Sequence, residues 1–245
     1  EYGNGNSGVF INPSDYDSDN NILYANKVRF NGSQPNRIIK LTNIENDPNI
    51  TTINLGTTSP VYFSSLKLSP FNSNTLYLGT QSGRLYKSIN INGQPSSLNI
   101  GDDDFPTANI SSIDIGSSEN EILVTFSNYG VSSIWYTEDG GLNWQEKEST
   151  LPDMPVRWGL LHPDDSNYAL IATEIGVWET SNLLDQNVNW LPSSSGLANV
   201  RVDMLSMSGD KVLAATHGRG LFFGDFLAEG SLMGCLLYTS DAADE

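Results

Sequence analysis

A chain of 245 residues with 12 Lys and Arg against 29 Asp and Glu has a formal charge of −17. It lacks the cations needed to displace counterions from a phosphate backbone, which excludes nucleic acid as a partner and disfavours anionic membrane surfaces. No segment approaches the roughly 18 uninterrupted apolar residues of a membrane span, so no membrane insertion is expected. Hydrophobic residues at 38% suffice for a sizeable core, while 22 glycines with recurrent Asn, Ser and Thr point to a turn-rich β protein.

The opening residues EYGNGNSG (1–8) show no Met, charged n-region or apolar h-region, and read as a partial strand or lead-in. Next comes FINPSDYDSDNNILYANK (Phe10 to Lys27), an apolar strand, Pro13, a polar turn and a second strand. An insertion separates it from RIIKLTN. Asp15, Asp17 and Asp19 alternate like the ligands of a calcium loop. However, Asn20 stands where that loop needs Gly and Asn26 where it needs a bidentate Glu. A solvated turn is the stronger reading, as for GDDDF (Gly101 to Phe105), and no cofactor is expected.

The same grammar returns along the chain. LKLSPFNSNTLYLGTQSGRLYKS (Leu66 to Ser88) and GLLHPDDSNYALIATEIGVWETS (Gly159 to Ser181) both run strand, Pro, polar turn, strand, Thr-x-x-Gly, strand, Ser. Pro70 aligns with Pro163, Thr80 with Thr173, Gly83 with Gly176, and Ser88 with Ser181. The template also fits Ile113 to Asp139, with Ser117 in place of Pro, and a shortened Met204 to Phe226. The five units are centred roughly 45 to 55 residues apart, the period of four-stranded propeller blades.

Short alternating strands such as ILVTF and SIWYT, with no amphipathic helical window, predict an all-β chain. The expected fold is a β-propeller of four-stranded antiparallel blades over 9–226, with blades at about 9–57, 60–105, 108–152, 155–195 and 199–226. The last unit shows three clear strands, so the chain can equally be a fragment of a larger propeller. Residues 227–234 read as the start of a truncated linker. The tail CLLYTSDAADE (235–245) resembles the in-frame translation of a sequencing adapter. It holds the only cysteine, Cys235, so no disulfide framework is expected and stability must come from the core.

In the third unit, TEDGGLNW (Thr137 to Trp144) falls between two strands. Gly140 and Gly141 supply positive φ for a tight hairpin, Asp139 can accept amide hydrogen bonds within its own turn, and Trp144 can cover it. The pattern Thr137-x-Asp139-x-Gly141-x-x-Trp144 resembles the Asp-box, or bacterial neuraminidase repeat. Eroded versions follow as KSININGQ, keeping Ser88 and Asn90, and ETSNLLDQNVNW, keeping Ser181. Across Val9 to Phe226 the chain resembles the secreted Asp-box propellers of Bacteroidetes-type bacteria, including glycosyl-hydrolase-like and sortilin-like proteins. That resemblance implies a secreted or cell-surface protein, often carrying a type IX secretion signal. It also implies a peripheral, structural role for the box.

Such folds host both enzymes and binding modules, so the function must be argued from side chains. One face of the blades is expected to gather Arg157, Trp158, Arg201, Asp203, Glu174, His217, Arg219, Arg84 and Tyr129. Val156-Arg157 and Val200-Arg201 look like equivalent places in adjacent units, so their guanidiniums can converge on a carboxylate; equally, they can tie acidic loops together. A sialidase needs three arginines, a Tyr–Glu pair and an Arg-Ile-Pro motif, which is missing. A glucanase needs two carboxylates about 5 Å or about 6.5–9.5 Å apart; Glu174 and Asp203 are the available acids, with no motif to single them out. His162 reads as a packed or turn-bonded imidazole, and with no Cys or second His at ligand spacing a zinc site has no support.

The leading expectation is a non-catalytic module that binds a glycan or protein. A glycoside hydrolase acting on extracellular polysaccharide is the alternative, and a scaffold for partner proteins the third. Oligomeric state is not readable.

Overall fold

The structure, a computed structural model, describes residues 12–27, 35–57, 61–101, 103, 105–193, 197, 199–226 and 237–238. The lead-in 1–8 and the linker 227–234 lie outside these residues, as does all of the 235–245 tail except Leu237–Tyr238.

The chain is all-β, a β-propeller of five consecutive four-stranded antiparallel blades. The first sheet holds β1 (Ser14–Asp17), β2 (Ile22–Asn26), β3 (Arg37–Thr42) and β4 (Asn49–Asn54) in that order. The second holds β5 (Phe63–Leu68), β6 (Thr75–Thr80), β7 (Leu85–Ile89) and β8 (Ser96–Asn99). The third holds β9 (Ile110–Ile115), β10 (Ile122–Phe126), β11 (Ile134–Thr137) and β12 (Gln145–Glu146). The fourth holds β13 (Val156–Leu161), β14 (Ala169–Thr173), β15 (Gly176–Thr180) and β16 (Leu191–Pro192). The fifth has three full strands, β17 (Val202–Ser208), β18 (Lys211–Thr216) and β19 (Leu221–Asp225), and a two-residue fourth, β20 (Leu237–Tyr238). β20 pairs with Phe222 and Phe223.

Two compact units divide the chain: Glu1–Ile113 with Gly140–Leu142, and Asp114–Asp139 with Asn143–Glu245. In the first unit, Tyr24, Ile38 and Leu55 of the first blade pack with Phe63, Leu76 and Leu78 of the second. Two cores are formed among the described residues of the second unit. Leu123, Ile134 and Tyr136 meet Val156, Ile171 and Trp190; Leu160, Leu170 and Ala172 meet Val202, Leu205 and Phe222. Burial on both faces makes the central strands β6, β10 and β14 buried at every residue. That burial explains their nearly continuous apolar composition where a one-sided sheet would alternate.

Backbone amides that end one strand are satisfied from the preceding blade. Asp15 Oδ2 accepts from Leu68 N at 2.7 Å, and Asp114 Oδ2 accepts from Leu161 N at 2.8 Å. Two carboxylates thus do the same job in two units. The Asp114 bond is buried and the Asp15 bond part-buried; a charge-assisted bond contributes about 1.5–3 kcal/mol when buried and less where solvent reaches it.

Register corrects one alignment. Leu76 pairs with Ser88, whereas the equivalent Ala169 pairs with Thr180. The β14–β15 turn is one residue shorter, because Gly176 pairs directly with Thr173. Thr180, not Ser181, is the counterpart of Ser88, and Thr137, opposite Ile122, is the third member.

Candidate functional site

The site is built on a repeated turn led by threonine, Thr-x-x-Gly at Thr80 and Thr173 and Thr-x-Gly-x-Gly at Thr216. Thr80, Thr173 and Thr216 each donate across their own turn, to Arg84 O at 3.1 Å, Gly176 O at 2.9 Å and Gly220 O at 2.7 Å. Each hydroxyl also accepts an amide, from Arg84, Ile175 and Arg219 respectively. One side chain therefore closes both ends of each hairpin. The residue after each threonine, Gln81, Glu174 or His217, is held at the same place in its blade.

Opposite these threonines the first strand of the blade kinks. Phe63 pairs with Thr80, Val156 with Thr173 and Val202 with Thr216, and in each case one residue is skipped before pairing resumes. The skipped residues are Ser64, Arg157 and Asp203. A one-residue bulge re-aims its side chain and commonly borders a functional site. This overturns the expected equivalence of Arg157 with Arg201: the true counterpart of Arg157 is Asp203. Arg201 sits two residues earlier, where its carbonyl accepts from His217 N at 2.8 Å.

The bulge residue and the turn residue of one blade meet. Arg157 Nε donates to Glu174 Oε1 at 2.8 Å, and its second nitrogen also reaches that oxygen. In the next blade His217 Nδ1 lies 3.5 Å from Asp203 Oδ2. Arg201 Nε donates to Asp203 Oδ1 at 2.6 Å, and Arg157 Nε approaches the same oxygen at 3.9 Å. Equivalent pairs therefore carry inverted polarity, cation-on-anion in one blade and anion-on-imidazole in the other. That inversion lets Arg157 and Asp203 attract across the blade boundary.

Arg157 and Glu174 are about a quarter exposed, Arg201 and Asp203 about a third, and His217 70%. Solvent-screened pairs of this kind contribute roughly 0–1 kcal/mol each, too little to make the cluster a principal source of stability.

Of the other expected members, Trp158 is half-buried and packs against the core between the fourth and fifth blades, which removes it from an open binding face. Arg219 is exposed on the same turn as His217. Tyr129 is 66% exposed in the β10–β11 loop of the second unit, where Gly130 N donates to Asp153 Oδ1 at 2.7 Å. Arg84 is exposed on the β6–β7 turn and belongs to the first unit.

Asp139 lies in the hairpin between β11 and β12. Its Oδ1 accepts from Thr137 Oγ1 at 2.8 Å and Asn143 N at 2.9 Å, and its Oδ2 accepts from Asn143 Nδ2 at 2.7 Å. Gly140 and Gly141 take φ of 73° and 94°. A Cβ on Gly141 would come within 2.9 Å of Ile100 O, so glycine is required there by space as well as conformation. The fourth blade repeats the network with an amide: Thr180 Oγ1 donates to Asn182 Oδ1 at 2.9 Å, as does Asn189 N at 2.9 Å. Trp144 is only half-buried, whereas Trp190 is 2% exposed and donates its Nε1–H to Lys147 O at 2.8 Å. The stronger indole anchor lies in the hairpin whose glycine turn was lost.

Lys147 is itself buried, with Nζ donating to Asp185 O at 2.9 Å. Burial pushes its pKa down, partly offset by Glu138 and Asp185. Burial pushes the neighbouring Glu148 carboxyl up; the amide of Ser133, donating at 2.7 Å, opposes this, and Glu146 and Asp153 add to it.

The aspartates of the first turn are occupied by the protein. Asp15 holds Leu68 N, and Asp17 Oδ1 accepts from the amides of Asp19 at 3.1 Å and Asn20 at 3.0 Å. Among the described residues no group of three or more His, Cys, Asp or Glu is placed to hold a metal ion. His162 is buried, with Nδ1 accepting from Asp164 N at 3.2 Å and Nε2 facing Phe226 O at 3.2 Å. Its ring meets Phe226 edge-on at 4.9 Å.

The candidate site is therefore the network of Arg157, Glu174, Arg201, Asp203 and His217. Sequence reading set Arg157 against Arg201 as equivalent residues, whereas the register sets Arg157 against Asp203. The missed signal is the apolar residue opposite each turn threonine, Val156 or Val202; one residue further on lies the bulge. Compared with protein-family models and with curated proteins, the chain matches none.

Proposed function

We propose that the chain is a secreted or cell-surface propeller of the Asp-box type that binds a glycan or protein without transforming it. The carrying observation is the single network of Arg157, Glu174, Arg201, Asp203 and His217 on the bulges and turns of two adjacent blades. Planar donors and acceptors, fixed by one another and partly exposed, suit a ligand offering paired hydroxyls or amides. Each guanidinium already has a carboxylate neighbour, and the chain carries −17 overall, which favours a neutral hydroxyl-rich ligand over an anionic one. Arg157→Ala and Arg201→Ala are each expected to abolish binding on a glycan array of neutral and acidic sugars. Unchanged binding by both variants would overturn the assignment of the site.

A hydrolytic reading draws on one observation: Glu174 and Asp203 flank the same Arg157 nitrogen. It requires release of reducing ends from an extracellular glucan, lost in Glu174→Gln and Asp203→Asn. Silence over a broad polysaccharide panel would leave the binding reading alone.

A further inference from the structure

Two turns of the first and second blades, both within the first unit, border a groove of about 450 Å³. One wall is the β1–β2 turn with its approach (residues 15–20), the other the β5–β6 turn with its approach (67–73). The groove lies at the end of β6 away from the Thr80 turn. Both walls are braced from within. Asp17 Oδ1 accepts the amides of Asp19 and Asn20, and Ser69 Oγ accepts those of Phe71 and Asn72 at 3.2 Å each. Asp15 Oδ2, holding Leu68 N at 2.7 Å, ties one wall to the other. A groove fixed in this way imposes little ordering cost on a ligand. Its volume falls in the range of small-molecule sites, about 300–1,000 Å³, but its lining is richer in polar groups than most. Phe71, 55% exposed, offers a flat apolar ring, and Ser18, Asp19, Asn72 and Ser73 are exposed beside it along the two turns.

Behind these walls the fold leaves one polar atom unused. Tyr24 pairs with Asp15 across β1 and β2, so its side chain leaves the sheet on the face from which Asp15 reaches the second blade. The residue is fully buried. Its hydroxyl faces the Asp17 carboxylate and the Asn92 side chain but closes a hydrogen bond with neither. Asn92 Nδ2 in turn lies 3.5 Å from Ser73 O of the opposite wall. Burial, reinforced by the charge of Asp17, pushes the Tyr24 pKa up, so the hydroxyl keeps its proton. A buried hydroxyl without a partner costs stability and calls for a reason. We propose that this groove binds a neutral saccharide, one ring face stacked on Phe71, its hydroxyls donating to the Asp17 and Asp19 carboxylates and accepting from Tyr24. Carboxylates only accept, and a tyrosine hydroxyl turned toward one has a proton to give; a sugar hydroxyl does both and satisfies both. A cation would serve the carboxylates and leave Tyr24 without an acceptor. An anion would meet Asp15, Asp17 and Asp19 against Lys67. The groove shares no residue with the Arg157 network and does not depend on it.

The test is isothermal titration of the full chain carrying Arg157→Ala and Arg201→Ala together, so that the groove is read apart from the site proposed above. The probes are cellohexaose, xylohexaose, mannohexaose and maltohexaose, with hexalysine as the cationic control. At least one of the four sugars is expected to bind. Phe71→Ala and Asp19→Ala, both at exposed side chains, should each weaken that binding about tenfold or more. Tyr24→Phe should weaken it severalfold while leaving the thermal midpoint unchanged or higher, because it removes a buried hydroxyl that has no partner. A lowered midpoint with unchanged affinity would make that hydroxyl structural and overturn its part in the site. Binding of none of the four sugars, or binding that Phe71→Ala and Asp19→Ala leave untouched, would overturn the proposal. So would hexalysine binding alone, lost in Asp19→Ala, which would assign the groove to a cationic ligand. A sugar bound by the parent but not by the double-arginine chain would support the Arg157 site and refute the groove, so the two readings fail separately.

Discussion

Replacing Asp139 separates a hairpin fastener from a functional carboxylate. Its oxygens accept from Thr137 Oγ1, Asn143 N and Asn143 Nδ2 at 2.8, 2.9 and 2.7 Å. In Asp139→Ala the Thr137 hydroxyl, on a residue only 2% exposed, loses its charged acceptor. Asn143 is exposed, so water can replace both of its bonds. Discounting those two leaves about 1–2 kcal/mol, from a range of 1.5–3 for a bond to a charged group. For a chain of this size that is a fall of about 2–8 °C in the unfolding midpoint. Asp139→Asn should lose less than about 1 kcal/mol, because an amide oxygen suffices for the local pattern. Asn182 accepts the matching bonds from Thr180 and Asn189 at 2.9 Å each. The assay is thermal unfolding followed by tryptophan fluorescence. All five tryptophans (135, 144, 158, 178 and 190) lie in the second unit with Asp139, so the signal reports that unit without assuming that the whole chain unfolds in one step. An unchanged midpoint in Asp139→Ala would refute the fastener, and an Asn variant as damaged as the Ala variant would show that charge, not bond geometry, holds the turn.

Trp190→Ala should destabilise the second unit by about 3–5 kcal/mol, and Trp144→Ala by clearly less, since only the former is fully buried and bonded to Lys147 O; urea unfolding by circular dichroism ranks them. Gly141→Ala forces a side chain into positive φ and against Ile100 O, a loss of about 2 kcal/mol or more by the same measurement. Glu148→Gln tests the raised carboxyl. A folded-state pKa above the unfolded value means that the group's contribution to stability is fully present below about 4.3 and is lost as pH rises through the folded value. The variant, whose amide oxygen can still accept from Ser133 N, should therefore gain stability over the parent at pH 7 relative to pH 4. A difference between the two chains that is the same at both pH values would refute it.

The repeat was legible because the strand lengths and the threonine-led turns are local: Thr80, Thr173 and Thr216 close the same hairpin whatever packs around them. What stayed hidden depended on register. A bulge leaves no mark in composition, so Val156-Arg157 and Val200-Arg201 looked alike while the pairing made Asp203 the partner position. The Asp15 and Asp114 ties were equally silent, because a carboxylate that serves an amide some 50 residues away looks like any surface acid. Trp144 misled in the opposite sense. Its motif was intact but its indole is half-exposed, while Trp190, behind an unrecognisable loop, is the buried one. Local motifs report backbone needs, and those are met within a few residues. Burial is decided by the neighbouring blade. The same division bears on the site. Ser64, Arg157 and Asp203 share one backbone role, and a serine fills it in the second blade by donating to Ile110 O at 2.7 Å. Opposite charges in the fourth and fifth blades are therefore not demanded by the bulge. Their inversion between equivalent positions is the feature that local hairpin closure leaves unexplained, and it is why the proposed binding role is placed on these blades and not on the Asp139 turn.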